Sequence, residues 1–242
     1  MNNNHLLAGV YYLVEGFKLI AKPGLRRFVI IPLIVNILLF AGLFFILRYY
    51  LVGLNHWFIQ WLPAWLHWLS VILWALFVIS FFLMFVSIFV TVTNIIASPF
   101  NSVLAEKVEF YLTGIMPEQR SLFENIKDIP HVLGRQLSII IYYLPRAVLF
   151  LILFFIPVIQ VLAAVAWFLF NAWFMTLTYL DYPTDNHRLS WREVHAWLKA
   201  KRWVGMGFGV SVLLTSMIPF LNLLIVPAAV AAATKLWVEE NK

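Results

Sequence analysis

Cysteine is absent from the 242-residue chain, and charged residues make up only 12% of it. The first absence excludes disulfides, thiol chemistry and thiolate metal sites. The second excludes an ordinary soluble domain, in which about 25% of residues are charged. The scarcity is concentrated, because no charged residue occurs between Arg48 and Glu106, a run of 57 residues. Helices of a soluble core must show a polar face to water, whereas roughly 20 apolar residues span a bilayer. The run therefore marks an integral membrane protein. Catalytic patterns are also missing. The six histidines (His5, His56, His67, His131, His187, His195) form no HExxH or other close ligand pair, so no metal site is expected. No phosphate-loop lysine, nucleophile elbow or paired-carboxylate motif is visible, so neither an enzyme nor a cofactor is expected.

What is present is apolar and aromatic: 63% hydrophobic residues and 11 Trp, a residue that concentrates at bilayer interfaces. This predicts one membrane-embedded unit over residues 1–242 with no separate soluble domain. The formal net charge is +6, which in such a protein is first a topology signal. With no basic soluble domain to carry it, a nucleic-acid partner is not expected. The polar start, Met1 to His5, lacks the basic region, short apolar core and cleavage site of a signal peptide, so no cleaved leader is expected.

Residues 5–22 read as an amphipathic helix, with Leu6, Val10, Leu13, Val14, Phe17 and Ile20 at helical spacing. Such a segment can lie in the interface plane. Pro23-Gly24 breaks it. Residues 28–47 and 70–97 are long enough to span, and the tryptophan-rich stretch 48–69 between them predicts an interfacial turn. Residues 99–146 mix acids and bases with apolar positions, predicting amphipathic helices broken near Gly114-Ile115-Met116-Pro117 and bounded or kinked near Pro130. The uncharged runs 147–180 and 203–234 each read as one kinked span or a hairpin. Between them, Ser190-Trp191-Arg192-Glu193 predicts a capping box opening a polar helix. The basic loops fall on one side only if both runs are hairpins. An arm of about 15 residues reaches only ~22 Å, short of a ~30 Å core, so partial penetration follows.

Two groups of residues are candidates for chemistry. Pro23-Gly24-Leu25-Arg26-Arg27 sits where a helix begins at the membrane boundary. First-turn N–H groups lack internal partners and carry the positive end of the dipole. Glycine allows close approach of an anion, and two arginines add donors suited to a tetrahedral oxyanion. Those are the parts of a sulfate or phosphate pocket. The competing role is a topogenic anchor at a helix end, and on these residues alone it weighs more. Glu106, Lys107 and Glu109 end the long uncharged run, as groups lining an ion or proton path do. A structural ion-pair network is the competing role there, and it also weighs more.

Several segments together carry a resemblance. They are Lys22-Pro23-Gly24-Leu25-Arg26-Arg27, Ala97-Ser98-Pro99-Phe100-Asn101 followed by Leu104-Ala105-Glu106-Lys107-Val108-Glu109, Tyr179-Leu180-Asp181-Tyr182-Pro183, Gly207-Phe208-Gly209, and Ile218-Pro219-Phe220 running into Pro227-Ala228-Ala229. In their order and spacing the chain resembles the CysZ family of bacterial sulfate permeases. The resemblance implies an all-α, multi-pass protein of the inner membrane, with two long spanning helices, two partly penetrating hairpins and interfacial amphipathic helices. It implies a homo-oligomer surrounded by lipid that imports sulfate, with sulfite and related oxyanions as further candidates, for assimilation into cysteine. It maps the family's sulfate-binding motif onto Gly24, Leu25, Arg26 and Arg27 and tips the two arginines towards anion binding. Transport is then channel-like or proton-coupled, with Glu106, Glu109 and Glu15 as relay or pore-network candidates. The alternative from another class is a non-transporting scaffold that docks a partner protein.

Overall fold

The apolar periodicity resolves into helices throughout a computed structural model that describes residues 5–61, 67–115 and 129–241. Among these residues there are eight helices and no strand. They are α1 (Leu6–Ile20), α2 (Arg27–Trp61), α3 (His67–Thr113), α4 (Ile129–Phe154), α5 (Ile159–Asn186), α6 (Trp191–Ala200), α7 (Arg202–Ser216) and α8 (Pro219–Glu240). Five segments are long and apolar enough to cross a membrane: Arg27–Tyr50, Val71–Phe89, Leu137–Phe154, Ile159–Asn186 and Leu221–Glu240.

The chain forms two compact units, Ile30–Phe100 by itself and Met1–Val29 together with Asn101–Lys242. In the first, Phe40 of α2 meets Phe85 and Phe89 of α3 edge-on, with centroids 6.2 and 5.4 Å apart. Among the described side chains here, many large ones, such as Ile37, Leu38, Phe45, Leu76 and Leu83, are exposed, the pattern of helices solvated by lipid. Helix α2 continues to Trp61, past the point where the sequence predicts an interfacial turn. Gly53, Asn55 and His56 are polar or small but leave every backbone N–H in place, so none of them stops a helix. Pro63 and Trp65 of that turn lie outside the described residues. Helix α3 runs through Pro99 to Thr113 and ends at Gly114, which has φ +73. The rest of the expected break, Met116-Pro117, and the acids and bases up to Asp128 lie outside the described residues.

The second unit is built around α8. Helices α1, α5 and α7 all pack on it, and Ala228, Ala229 and Ala231–Ala233 are fully buried. Small residues let helix backbones approach closely where lipid offers no hydrophobic drive for association. The same device joins α7 to α1, because a Cβ on Gly207 would lie 2.0 Å from the Leu6 carbonyl oxygen. Helices α4 and α5 are joined by a four-residue turn, Phe155–Val158, with Val158 exposed and at φ +73. Met217 and Ile218 turn α7 into α8, whose first residue is Pro219, the position where a missing N–H costs nothing. The capping box forms as the sequence predicts: Ser190 Oγ accepts from the Glu193 N–H at 3.3 Å, and Glu193 Oε2 accepts from the Ser190 N–H at 2.7 Å.

Candidate functional site

The turn between α1 and α2 is fixed by backbone bonds of 3.0–3.2 Å. Lys22 N–H donates to the Leu19 carbonyl, Leu25 and Arg26 to that of Lys22, Phe28 to Leu25 and Val29 to Arg26. The N–H groups of Gly24 and Arg27 donate to none of these carbonyls. Gly24 has φ +91, a conformation that side chains with a Cβ rarely adopt, and the space beside it is empty to 4 Å. Leu25 is buried and anchors the turn; it and Val29 belong to the same core cluster as Leu104, Ala105 and Val108 of α3. Arg26 and Arg27 are exposed. Among the described residues neither has a carboxylate partner, and Arg27 lies over the Phe28 ring at 4.9 Å. The four motif residues thus divide their work. Leu25 holds the turn, Gly24 supplies its shape, and two guanidinium groups and two N–H donors stay available.

The acidic candidates do not converge on one another. Glu106, Lys107 and Glu109 are half-buried on α3 around the buried Leu104, Ala105 and Val108. Glu109 reaches α5, where its two oxygens stand 2.8 and 3.0 Å from His187 Nε2. Glu106 also has a polar or electrostatic partner. Glu15 on α1 lies between Lys18 and Lys235, each at 2.8 Å. Lys235 in turn meets Glu239 at 3.7 Å and receives the ring of Tyr11. Hydrogen bonds from Lys18 and Lys235 hold the Glu15 carboxyl at about 2, against an ordinary 4.5. Such a carboxylate stays ionised near neutral pH. Its surroundings are those of a fixed counter-ion for Lys235 and give a proton-relay role no support.

This has a consequence for acid stability. The Glu15 contribution is complete above about 4.5 and is lost as pH falls towards about 2. Screening at the exposed Lys18 leaves it worth about 1 kcal/mol. Thermal melts in detergent between neutral pH and pH ~3 should therefore fall more steeply for the wild type than for Glu15→Gln. Parallel profiles would show that the pair contributes nothing.

One buried cluster escaped the sequence reading. Arg135 of α4 is buried and clamps the end of α5: its Nε donates to Asp181 Oδ1 at 2.8 Å, and its Nη2 and Nη1 form ion pairs with Asp181 and Asp185 at 2.7 and 3.2 Å. It also donates to Thr184 Oγ1 at 3.3 Å and to the Leu189 carbonyl. The available signal was Asp181 and Asp185 at helical i, i+4 spacing, which places two carboxylates on one face in need of a cation. His187, the partner of Glu109, and Lys235, the partner of Glu15, had no local signal.

Taken together, these features define a polytopic all-helical membrane protein in which two adjacent arginines at a helix start have no carboxylate partner among the described residues. The family model described as sulfate transporter CysZ/etoposide-induced protein 2.4 matches residues 12–227. A sulfate transporter CysZ of Pseudomonas fluorescens strain Pf0-1 is 47% identical over 244 residues, covering 98% of this chain and 95% of the relative. Another, from strain SBW25, is 50% identical over 243 residues, covering 97% and 92%. The chain belongs to the sulfate transporter CysZ/etoposide-induced protein 2.4 family.

Proposed function

We propose that the protein carries sulfate into the cell across the bacterial inner membrane, supplying sulfate assimilation and cysteine synthesis. It acts as a transporter and not as an enzyme. Two relatives named as sulfate transporters, each matching nearly the whole chain, support the substrate. The observation that carries the site is the Gly24–Arg27 turn: an unoccluded positive-φ glycine beside two exposed arginines, at the start of a helix, that have no carboxylate partner among the described residues. Sulfate accepts from the guanidinium groups and from the N–H groups of Gly24 and Arg27, while Leu25 anchors the turn. The α4–α5 and α7–α8 pairs form hairpins. Helices α4, α5 and α8 are longer than the arms of about 15 residues expected from the sequence and carry segments long enough to cross, so a short arm remains only in α7. The 15-residue α7 reaches about 22 Å, less than a ~30 Å core. Several copies of the chain assemble around the path.

Moving one charge through 100 mV costs about 2.3 kcal/mol, so a dianion entering an inside-negative cell faces about 4.6 kcal/mol. That opposes entry roughly 2,000-fold. A channel then depends on rapid consumption of sulfate inside, whereas co-transport of two protons cancels the term. Glu109 with His187 is the candidate proton-exchanging pair, because a carboxylate and an imidazole share a contact of 2.8 Å. Glu15 is instead held between Lys18 and Lys235, each at 2.8 Å.

The test is sulfate binding and flux in proteoliposomes. Charge-assisted hydrogen bonds contribute about 1.5–3 kcal/mol each, so Arg26→Ala with Arg27→Ala should weaken binding by about 100-fold or more and stop flux. Arg26→Lys with Arg27→Lys keeps the charge but loses the bidentate fork, and should fall between. Wild-type affinity and flux in the double alanine variant would remove the site. No flux from wild-type protein would favour a scaffold.

A further inference from the structure

Lys199, at the end of α6, and Arg202, at the start of α7, line a cavity of about 400 Å³ whose other walls are Trp173, Trp203 and Met206. It lies where the polar α6 passes into the uncharged run 203–234, which is the chain's own mark of headgroup depth. Both cations are exposed, and neither has a carboxylate partner among the described residues. Arg202 stands over the Trp203 ring at 5.3 Å. A third cation is near: Arg146 lies over Tyr142 at 3.9 Å, and Tyr142 and Trp173 both contact His195, at 5.1 and 5.9 Å. Burial, together with Lys199 and Arg146, pushes the His195 imidazole below its ordinary value. Among the described residues, no carboxylate pairs with Lys199, Arg202 or Arg146.

Two apolar stripes leave this cavity in the same direction. On α5, Leu169, Val165 and Leu162 follow Trp173 at helical spacing, all exposed. On α7, Val210 and the exposed Leu214 follow Met206. The helices run antiparallel, because Gly209 abuts Ala172 while Gly205 abuts Thr176. Moving down α5 from Trp173 and up α7 from Met206 therefore leads the same way. From Trp173 to Leu162 the stripe covers about 16 Å at 1.5 Å per residue, long enough to seat much of an acyl chain.

We propose that this cavity binds an anionic glycerophospholipid, with its phosphate between Lys199 and Arg202, its glycerol against Trp173 and Trp203, and an acyl chain along the α5–α7 groove. A free oxyanion uses the two cations but has no use for the stripes. This site is separate from the Gly24–Arg27 turn and shares no residue with it.

Native mass spectrometry of the detergent-solubilised protein, titrated with phosphatidylglycerol and phosphatidylcholine, tests it. Each basic residue near an anionic headgroup is worth about 1 kcal/mol, so the wild type should prefer phosphatidylglycerol by about 30-fold. Lys199→Gln with Arg202→Gln should bring that preference close to one. Met206→Trp, which fills the cavity and keeps both charges, should reduce binding of both lipids. Should Met206→Trp fail to fold, the double glutamine variant, which changes only exposed side chains, decides alone. Inorganic sulfate or phosphate at millimolar concentration should not displace the lipid. An unchanged preference in the double glutamine variant overturns the site. So does displacement of lipid by inorganic anion, which would make it a free-oxyanion site. A change confined to self-association, which would make it a contact between copies, overturns it as well.

Discussion

Gly209→Val is expected to abolish folding of the second unit, with protein lost to aggregation during extraction and no monodisperse species in size-exclusion chromatography. A Cβ at Gly209 would lie 1.8 Å from the Ala172 carbonyl oxygen, 2.5 Å from its carbon and 2.6 Å from Thr176 Oγ1. Two of these three atoms are backbone, so no side-chain rotation relieves the overlap. Thr176 Oγ1 is itself held, donating to the Gly205 carbonyl at 2.7 Å and lying 3.2 Å from that of Ala172. Helix α7 would have to move away from α5, opening a contact that also positions α1 and α8. Overpacking a well-fitted core costs about 1–3 kcal/mol when side chains yield and more when backbone must move. Gly42→Ala is the matched control. It lies within a helix with nothing inside 4 Å of the added carbon, and should be neutral or stabilising by up to about 1 kcal/mol. If Gly209→Val purifies and melts like the wild type, close approach of α5 and α7 is not what holds this unit together.

Arg135→Ala should come next in severity. It takes the guanidinium away from Asp181 and Asp185, and a donor away from Thr184 and the Leu189 carbonyl, at the end of α5. Removing one partner of a fully buried ion pair costs about 3–5 kcal/mol. Asp181 and Asp185 are 20% and 32% exposed and can regain some hydration, so the expected loss lies at or below the lower end of that range. Arg135→Lys should recover only part of this, since an ammonium cannot reproduce the planar fork that serves two carboxylates. The informative rescue is Arg135→Leu combined with Asp181→Asn and Asp185→Asn. Removing every charge should restore much of the melting temperature lost on removing one. A wild-type melting temperature for Arg135→Ala would mean that the clamp is decorative.

The local rules were legible and the long-range pairings were not. Ser190 and Glu193 announced their capping box because both partners lie within one turn. Gly24-Leu25-Arg26-Arg27 announced a helix start because proline, glycine and paired arginines are informative side by side. In contrast, Arg135 and Asp181 are 46 residues apart, Glu109 and His187 78, and Lys235 and Glu15 220. Periodicity carries no information across such distances. Helix ends at 48–61 were also misjudged, because polar side chains and tryptophans mark depth in a membrane and leave the hydrogen-bond ladder intact.

By itself, then, the sequence determined the solvent, the secondary structure and the chemical character of the α1–α2 turn. Those follow from composition and from neighbours within a turn or two of helix. Tertiary structure alone decided which charges are neutralised and which remain available. Glu15, Glu109 and Arg135 acquire partners only when distant helices pack, while Arg26, Arg27, Lys199 and Arg202 are left without carboxylates among the described residues. In a chain with so few charges, that division separates the residues that hold the fold from those free to meet an anion.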